Sequence, residues 1–154
     1  MDIYIMRHGE AEQRFGEDAS RRLTTRGFDE AALAGQWLKQ HPGNVDLALV
    51  SPFTRAQQSF EAVSAICPVV ESQTCADITP AGSPAYFHDY LHALVTTETQ
   101  LKSLLLVSHM PFVSLLVDEL CERPLSLLFA TAGVVHLRYD AQTETASMVS
   151  QYLP

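Results

Sequence analysis

Two histidines and two arginines of this 154-residue chain stand just beyond apolar segments. Arg7 and His8 lie in Ile-Met-Arg-His-Gly, Arg55 in Ser-Pro-Phe-Thr-Arg, and His109 in Val-Ser-His-Met-Pro. Each residue type brings its own chemistry. A neutral imidazole is nucleophilic near pH 7 and can carry a phosphoryl group covalently. A guanidinium grips phosphate through paired, charge-assisted hydrogen bonds, and two of them can stabilise the charge that a transferring phosphoryl group spreads over its oxygens. Gly9 has no side chain and lets backbone approach a ligand closely. His109 adds a further donor to phosphate oxygens if protonated. A site this cationic needs no metal, and no carboxylate cluster suited to magnesium accompanies it, so neither metal nor cofactor is expected.

The intervening elements decide whether these residues meet. Asp2–Met6 reads as a short buried strand, followed by a polar loop from Gly9 to about Thr24. Thr25 is the expected cap of a helix over Arg26–Gln40, with Phe28, Ala31, Leu33, Trp37 and Leu38 on its apolar side and His41-Pro42-Gly43 as its stop. Asp46–Val50 is a second strand. Ser51 as cap and Pro52 in the first turn then open a helix through about Ile66. Cys67-Pro68 breaks it, Val69–Glu71 is a third short strand, and Ser72–Pro84 reads as an irregular loop. A helix over Ala85–Thr97, a strand over Ser103–Val107 and a helix ending near Glu122 follow, and Gly133–Tyr139 with Thr145–Tyr152 forms a hairpin. The alternation predicts a single α/β domain over 1–154: a mostly parallel sheet with helices on both faces and an antiparallel edge. No repeat or linker divides it.

In such sheets ligands bind beyond the carboxyl ends of the strands. Arg7-His8-Gly9, Arg55 and His109 all follow strand ends, where helix N-termini add backbone donors and a dipole that favours an anion. A single histidine after a strand is more often a structural hydrogen-bonder. Three equivalent placements are hard to explain as packing.

The formal charge of -8 disfavours nucleic acid as a partner. Residues 1–26 are nevertheless neutral, with five Arg against five acids, and six of the eight arginines lie within the first 55 residues, consistent with a local cationic pocket in an acidic protein. The three cysteines form no C-x-x-C pair and suit a reducing compartment. The start of the chain lacks the pattern of a signal peptide, and no uncharged stretch is long enough to span a membrane. A soluble, cytoplasmic protein without membrane contacts is expected.

Other features read more plainly. His88 and His92, four apart on a helix, lack a third metal ligand at suitable spacing and read as a partly exposed face. Arg21, Arg22 and Arg26 either extend the cationic rim or pair with Glu17, Asp18 and Glu30. The apolar run Leu125–Phe129 reads as a buried segment rather than an interaction patch. Walker and G-x-G-x-x-G patterns are absent.

Arg7-His8-Gly9, Arg55 and His109, in this order, resemble the signature of the histidine phosphatase superfamily, the branch of phosphoglycerate mutase and acid phosphatase. The phrases Ile-Met-Arg-His-Gly, Leu-Thr-Thr-Arg-Gly, Leu-Val-Ser-Pro-Phe-Thr-Arg-Ala and Leu-Val-Ser-His-Met-Pro resemble its SixA group over roughly residues 2–132. The resemblance implies a phosphoglycerate mutase-like fold with a reduced insertion. It also implies a phosphohistidine phosphatase acting on a signalling protein such as a histidine-containing phosphotransfer domain. His8 would be the nucleophile, and Arg7, Arg55, His109 and the Gly9 backbone would hold the phosphate. Larger relatives supply a glutamate acid from an insertion after the third strand. The corresponding stretch, 75–82, offers only Asp77, with Asp18 and Glu17 as alternatives in the first loop and solvent as another source of the proton. A small-molecule phosphomonoesterase and a phosphohistidine-binding module without turnover stay open as alternatives. The partner's identity and the oligomeric state are not legible.

Overall fold

The computed structural model describes residues 1–13 and 16–154; Arg14, one of the six arginines counted in the first 55 residues, and Phe15 lie outside the described residues. Six strands form one sheet: β1 (Asp2–Arg7), β2 (Val45–Val50), β3 (Val69–Thr74), β4 (Ser103–Ser108), β5 (Val134–Asp140) and β6 (Thr145–Tyr152). Their order is β3-β2-β4-β1-β5-β6. The β3-β2-β4-β1 part is parallel, and β5 joins β1 antiparallel and pairs with β6 as the hairpin expected at the end of the chain. Four helices connect them: α1 (Thr25–Gln40), α2 (Thr54–Ser64), α3 (Pro84–Thr97) and α4 (Phe112–Leu120). Single 3₁₀ turns occur at Asp18–Ser20 and Ala76–Ile78.

Side chains alternate across a strand, so the central strands β1, β2 and β4 each feed two cores. Ile3, Ile5, Leu47, Leu49, Leu104 and Leu106 pack with Phe87 and Leu91 of α3 and Phe112, Val113, Leu116 and Val117 of α4. Tyr4, Met6, Ala48, Val50, Leu105 and Val107 pack on the other face with Ala31, Ala34 and Leu38 of α1 and Ala56 and Val63 of α2. Burial on both faces is why β1, β2 and β4 are mostly apolar, whereas β3, at the edge of the sheet, is largely exposed and ends in Glu71, Ser72, Gln73 and Thr74. Among the described residues no helix is long and apolar enough to cross a membrane.

Several boundaries differ from expectation for identifiable reasons. Thr24, not Thr25, caps α1, its hydroxyl accepting from Gly27 N–H at 3.0 Å. The buried side of α1 is Gly27, Ala31, Ala34, Gly35 and Leu38, whereas Phe28 and Leu33 are exposed. Small residues serve there because a Cβ on Gly35 would lie 3.1 Å from the Val63 backbone of α2, so the two helices nearly touch. The second helix begins at Thr54, with neither Ser51 as its cap nor Pro52 in its first turn, because the Ser51 hydroxyl is engaged by His109. Arg55 still occupies the first turn. The third strand runs three residues beyond Glu71, to Thr74, within what reads as a loop, and α4 stops at Leu120 rather than Glu122. The segment 125–129 is not buried as a whole: Phe129 is, while Leu125 and Leu128 are exposed.

Two glycines let the loop after β1 lie against α1. A Cβ on Gly9 would overlap the Gly27 carbonyl, and one on Gly27 would overlap the Glu10 carbonyl. Both obstacles are backbone and cannot rotate away. Gly27→Ala is therefore expected to destabilise the protein by about 3 kcal/mol, the upper end for overpacking. A urea midpoint unchanged from wild type would contradict this contact.

Candidate active site

The parallel register sets the carboxyl ends of three adjacent strands side by side: Arg7 of β1 pairs with Ser108 of β4, and Val50 of β2 with Val107 of β4. Backbone bonds carry the alignment one residue further, from His8 N–H to Ser108 O at 2.9 Å and from Ser51 N–H to Val107 O at 3.0 Å. Arg7, His8, Arg55 and His109, separated by up to 102 residues, thereby come together at this edge; His8, Arg55 and His109 are buried there.

His8 is held in a defined form. Its Nδ1 lies 2.6 Å from the Gly9 carbonyl, which can only accept, so Nδ1 carries the hydrogen and Nε2 keeps its lone pair. Arg55 Nε donates to that Nε2 at 3.2 Å. Ser59, on α2, braces both partners: its hydroxyl accepts from Gly9 N–H at 2.9 Å and donates to the Arg55 carbonyl at 2.6 Å. The Arg55 guanidinium also donates through Nη1 to the Asp18 carbonyl at 2.7 Å and through Nη2 to the Asp18 carboxylate at 3.1 Å. Arg7 Nη1 donates to the Phe129 carbonyl at 2.7 Å, while its buried Nε has no partner among the described residues. The His109 ring stands 5.1 Å from that of His8 and 5.1 Å from Phe53; its Nε2 is 2.7 Å from Ser51 Oγ, and its Nδ1 is buried without a partner. A guanidinium nitrogen and a ring nitrogen, both buried and without partners among the described residues, suit a ligand rich in polar oxygens.

A match to the description "Histidine phosphatase superfamily (branch 1)" covers residues 3–78. Over 141 residues the chain is 37% identical to the phosphohistidine phosphatase SixA of Escherichia coli (strain K12), covering 91% of this chain and 86% of that protein. The chain belongs to the histidine phosphatase superfamily. It is 38% identical over 148 residues to the SixA homolog of Haemophilus influenzae, covering 91% of this chain and 89% of that protein. The solved structure of the protein histidine phosphatase SixA complexed with tungstate superposes with a TM-score of 0.89 at 35% identity, covering 98% of this chain and 96% of that one. The mostly parallel six-stranded sheet is thus the fold of this histidine phosphatase family, as the motifs imply.

Several contacts of this histidine phosphatase's site escape a reading of motifs. Ser59 is four residues after Arg55 on one helical face, the only hint of its role. Ser51, read as a cap, faces His109 instead. Asp18, weighed as an acid, pairs with both Arg55 and Arg21, the latter at 3.1 Å. Burial raises its pKa, but the bonds from Arg21 and Arg55 outweigh that and hold the carboxyl below its usual range, the wrong direction for a proton donor. Asp77 and Glu17 are exposed. Among the described residues no carboxyl is hydrogen-bonded to His8. Arg26 pairs with Glu30 at 3.1 Å and lies 3.7 Å from Glu10, a surface arrangement. His88 and His92 each meet a glutamate, Glu119 at 3.2 Å and Glu144 at 3.1 Å, with the Tyr139 hydroxyl 3.4 Å from both rings.

Burial, reinforced by Arg55 and Arg7, pushes the His8 pKa down to about 4 against an opposing pull from the Gly9 carbonyl. Burial followed by His8 and Arg55 pushes His109 down to about 3. Both rings are therefore neutral at pH 7 in the ligand-free site, and the protonation on which the sequence makes donation by His109 conditional is disfavoured there. The unfolded chain takes up protons at these histidines near pH 6.5, before the folded one does, so stability is full above that pH and is lost as pH falls toward 4. The pair is expected to cost the fold on the order of 4 kcal/mol between pH 7 and 5. Urea midpoints at the two pH values, compared with a His8→Asn, His109→Asn double variant in which the loss shrinks, check this.

Proposed function

We propose that this chain is a metal-independent phosphohistidine phosphatase that removes phosphate from a histidine of another protein through a phospho-His8 intermediate. The observation that carries the reading is the state of His8: Nδ1–H tied to the Gly9 carbonyl, with Nε2 unprotonated beneath Arg55. The near full-length likeness to SixA supports the substrate class.

In this reading the phosphoryl oxygens take up donors from Arg7, Arg55 and His109; the Gly9 backbone, expected to help hold the phosphate, already gives its N–H to Ser59 Oγ at 2.9 Å. The Nε2 lone pair forms a bond to phosphorus as the bond from phosphorus to the substrate's imidazole nitrogen breaks. That imidazole, protonated on its other nitrogen, leaves as a neutral ring and needs no carboxylic acid held against it, in keeping with the absence, among the described residues, of a carboxyl hydrogen-bonded to His8. Water then attacks phosphorus, the bond to His8 Nε2 breaks, and inorganic phosphate departs. The arginines offset the charge on the transferring group in both steps. A histidine-phosphorylated phosphotransfer domain or carrier fits as partner; a nucleic acid does not, given the net charge of -8.

Phosphate release from a protein phosphorylated on histidine, measured beside p-nitrophenyl phosphate without added metal, tests the reading. Much faster cleavage of phosphohistidine is expected. Efficient turnover of the ester with poor turnover of phosphohistidine would overturn it.

A further inference from the structure

Ser51 lies at the end of β2, fully buried at 0% exposure, with His109 at 1%. Its Oγ is 2.7 Å from His109 Nε2 and accepts a longer bond from Phe53 N–H at 3.4 Å. A hydroxyl has one hydrogen to give, and among the described residues no other acceptor faces it. If His109 carried its hydrogen on Nε2, that N–H would point at Ser51, and the serine's own hydrogen would be buried without an acceptor. If the serine donates, Nε2 accepts and every group in the pair is satisfied. The imidazole hydrogen then sits on Nδ1, the buried nitrogen that has no partner among the described residues. The groups acting on the ring are His8, Arg55 and Arg7 of the phosphate site, opposed by Asp18, which is itself paired to Arg55. Phe53 and His8, each with its ring 5.1 Å away, limit how the imidazole can turn to escape this assignment.

We propose that Ser51 is a positioning residue that holds neutral His109 in its Nδ1–H form, so that the ring donates to a bound phosphoryl oxygen without being protonated. The proposal rests on the phosphatase reading of the site and adds to it how an uncharged histidine serves as a donor. A histidine in water favours the opposite, Nε2–H form, so removing the Ser51 hydroxyl releases the ring to a state that offers the ligand a lone pair where it needs a hydrogen.

The test is long-range proton–nitrogen NMR of the ¹⁵N-histidine-labelled full chain at pH 7, with tungstate binding measured by calorimetry. The expected wild-type spectrum shows His109 as the neutral Nδ1–H tautomer. Ser51→Ala is expected to shift it toward Nε2–H and weaken tungstate about tenfold, the loss of one hydrogen bond, while Ser51→Thr, which keeps the hydroxyl, restores both. A wild-type ring found as Nε2–H or as imidazolium overturns the proposal, as does a Ser51→Ala protein with unchanged tautomer and tungstate affinity. The wild-type spectrum decides the tautomer even where Ser51→Ala does not fold. A correct tautomer in a protein that fails to cleave phosphohistidine supports this assignment and counts against the substrate reading instead.

Discussion

Replacing His8 with alanine is expected to lower phosphate release on the order of 10⁴-fold or more while leaving the fold and tungstate binding largely intact. The two halves of this expectation come from different parts of the site. Turnover fails because Nε2 is the one unprotonated nitrogen placed against Arg55, and alanine has no lone pair to form the covalent intermediate. Binding persists because His8 is neutral at pH 7, so its removal takes no charge away from an oxyanion. The backbone bonds from His8 N–H to Ser108 O and from Ala132 N–H to His8 O do not depend on the side chain. Rapid-quench trapping of a phosphorylated enzyme in wild type and its absence in the variant identify the missing step. An alanine variant that still turns over at a tenth of the wild-type rate would remove His8 from the role of nucleophile.

The positions of these groups were legible because strand ends are legible. Short apolar runs such as Leu104–Val107 leave little choice of where a buried strand stops, and an α/β sheet presents those ends to ligands. Arg7, His8, Arg55 and His109 follow from that rule and from residue type. What stayed hidden is contact between polar groups distant in the chain. Ser51 sits before a proline and a helix, the pattern of a cap, yet its hydroxyl meets a ring 58 residues away. Asp18 reads as a candidate acid or as a partner for a nearby arginine, and it does pair with Arg21, but its second partner, Arg55, lies 37 residues on. Hydrophobic periodicity misled on α1 because Phe28 and Leu33 lie off the stripe of small residues that close approach to α2 demands. At Leu125 and Leu128 it misled because apolar residues after a helix carry no period from which burial can be read.

Arg55→Ala is expected to behave differently from His8→Ala by losing turnover and oxyanion binding together. Among the described residues the guanidinium is the only group hydrogen-bonded to His8 Nε2, and it joins that nitrogen to the turn at Asp18–Ser20. Removing it takes away a buried positive charge aimed at the transferring phosphoryl group, a class of contact worth about 10³- to 10⁵-fold in rate. It also leaves the Asp18 carboxylate without one of its two partners, so repulsion of an incoming anion adds to the loss. Arg55→Lys tests how much of this is geometry. Lysine keeps the charge but presents a single ammonium where arginine divides its donors between His8 and Asp18, so only a small part of the activity is expected to return. The Ser59 brace takes the Arg55 backbone carbonyl rather than its side chain and survives both substitutions, which keeps the His8 loop in place. Tungstate calorimetry with kcat and KM on the phosphohistidine substrate separates the two variants from His8→Ala. An Arg55→Lys protein with full kcat and unchanged tungstate affinity would show that charge alone is needed, and the bidentate argument would fall.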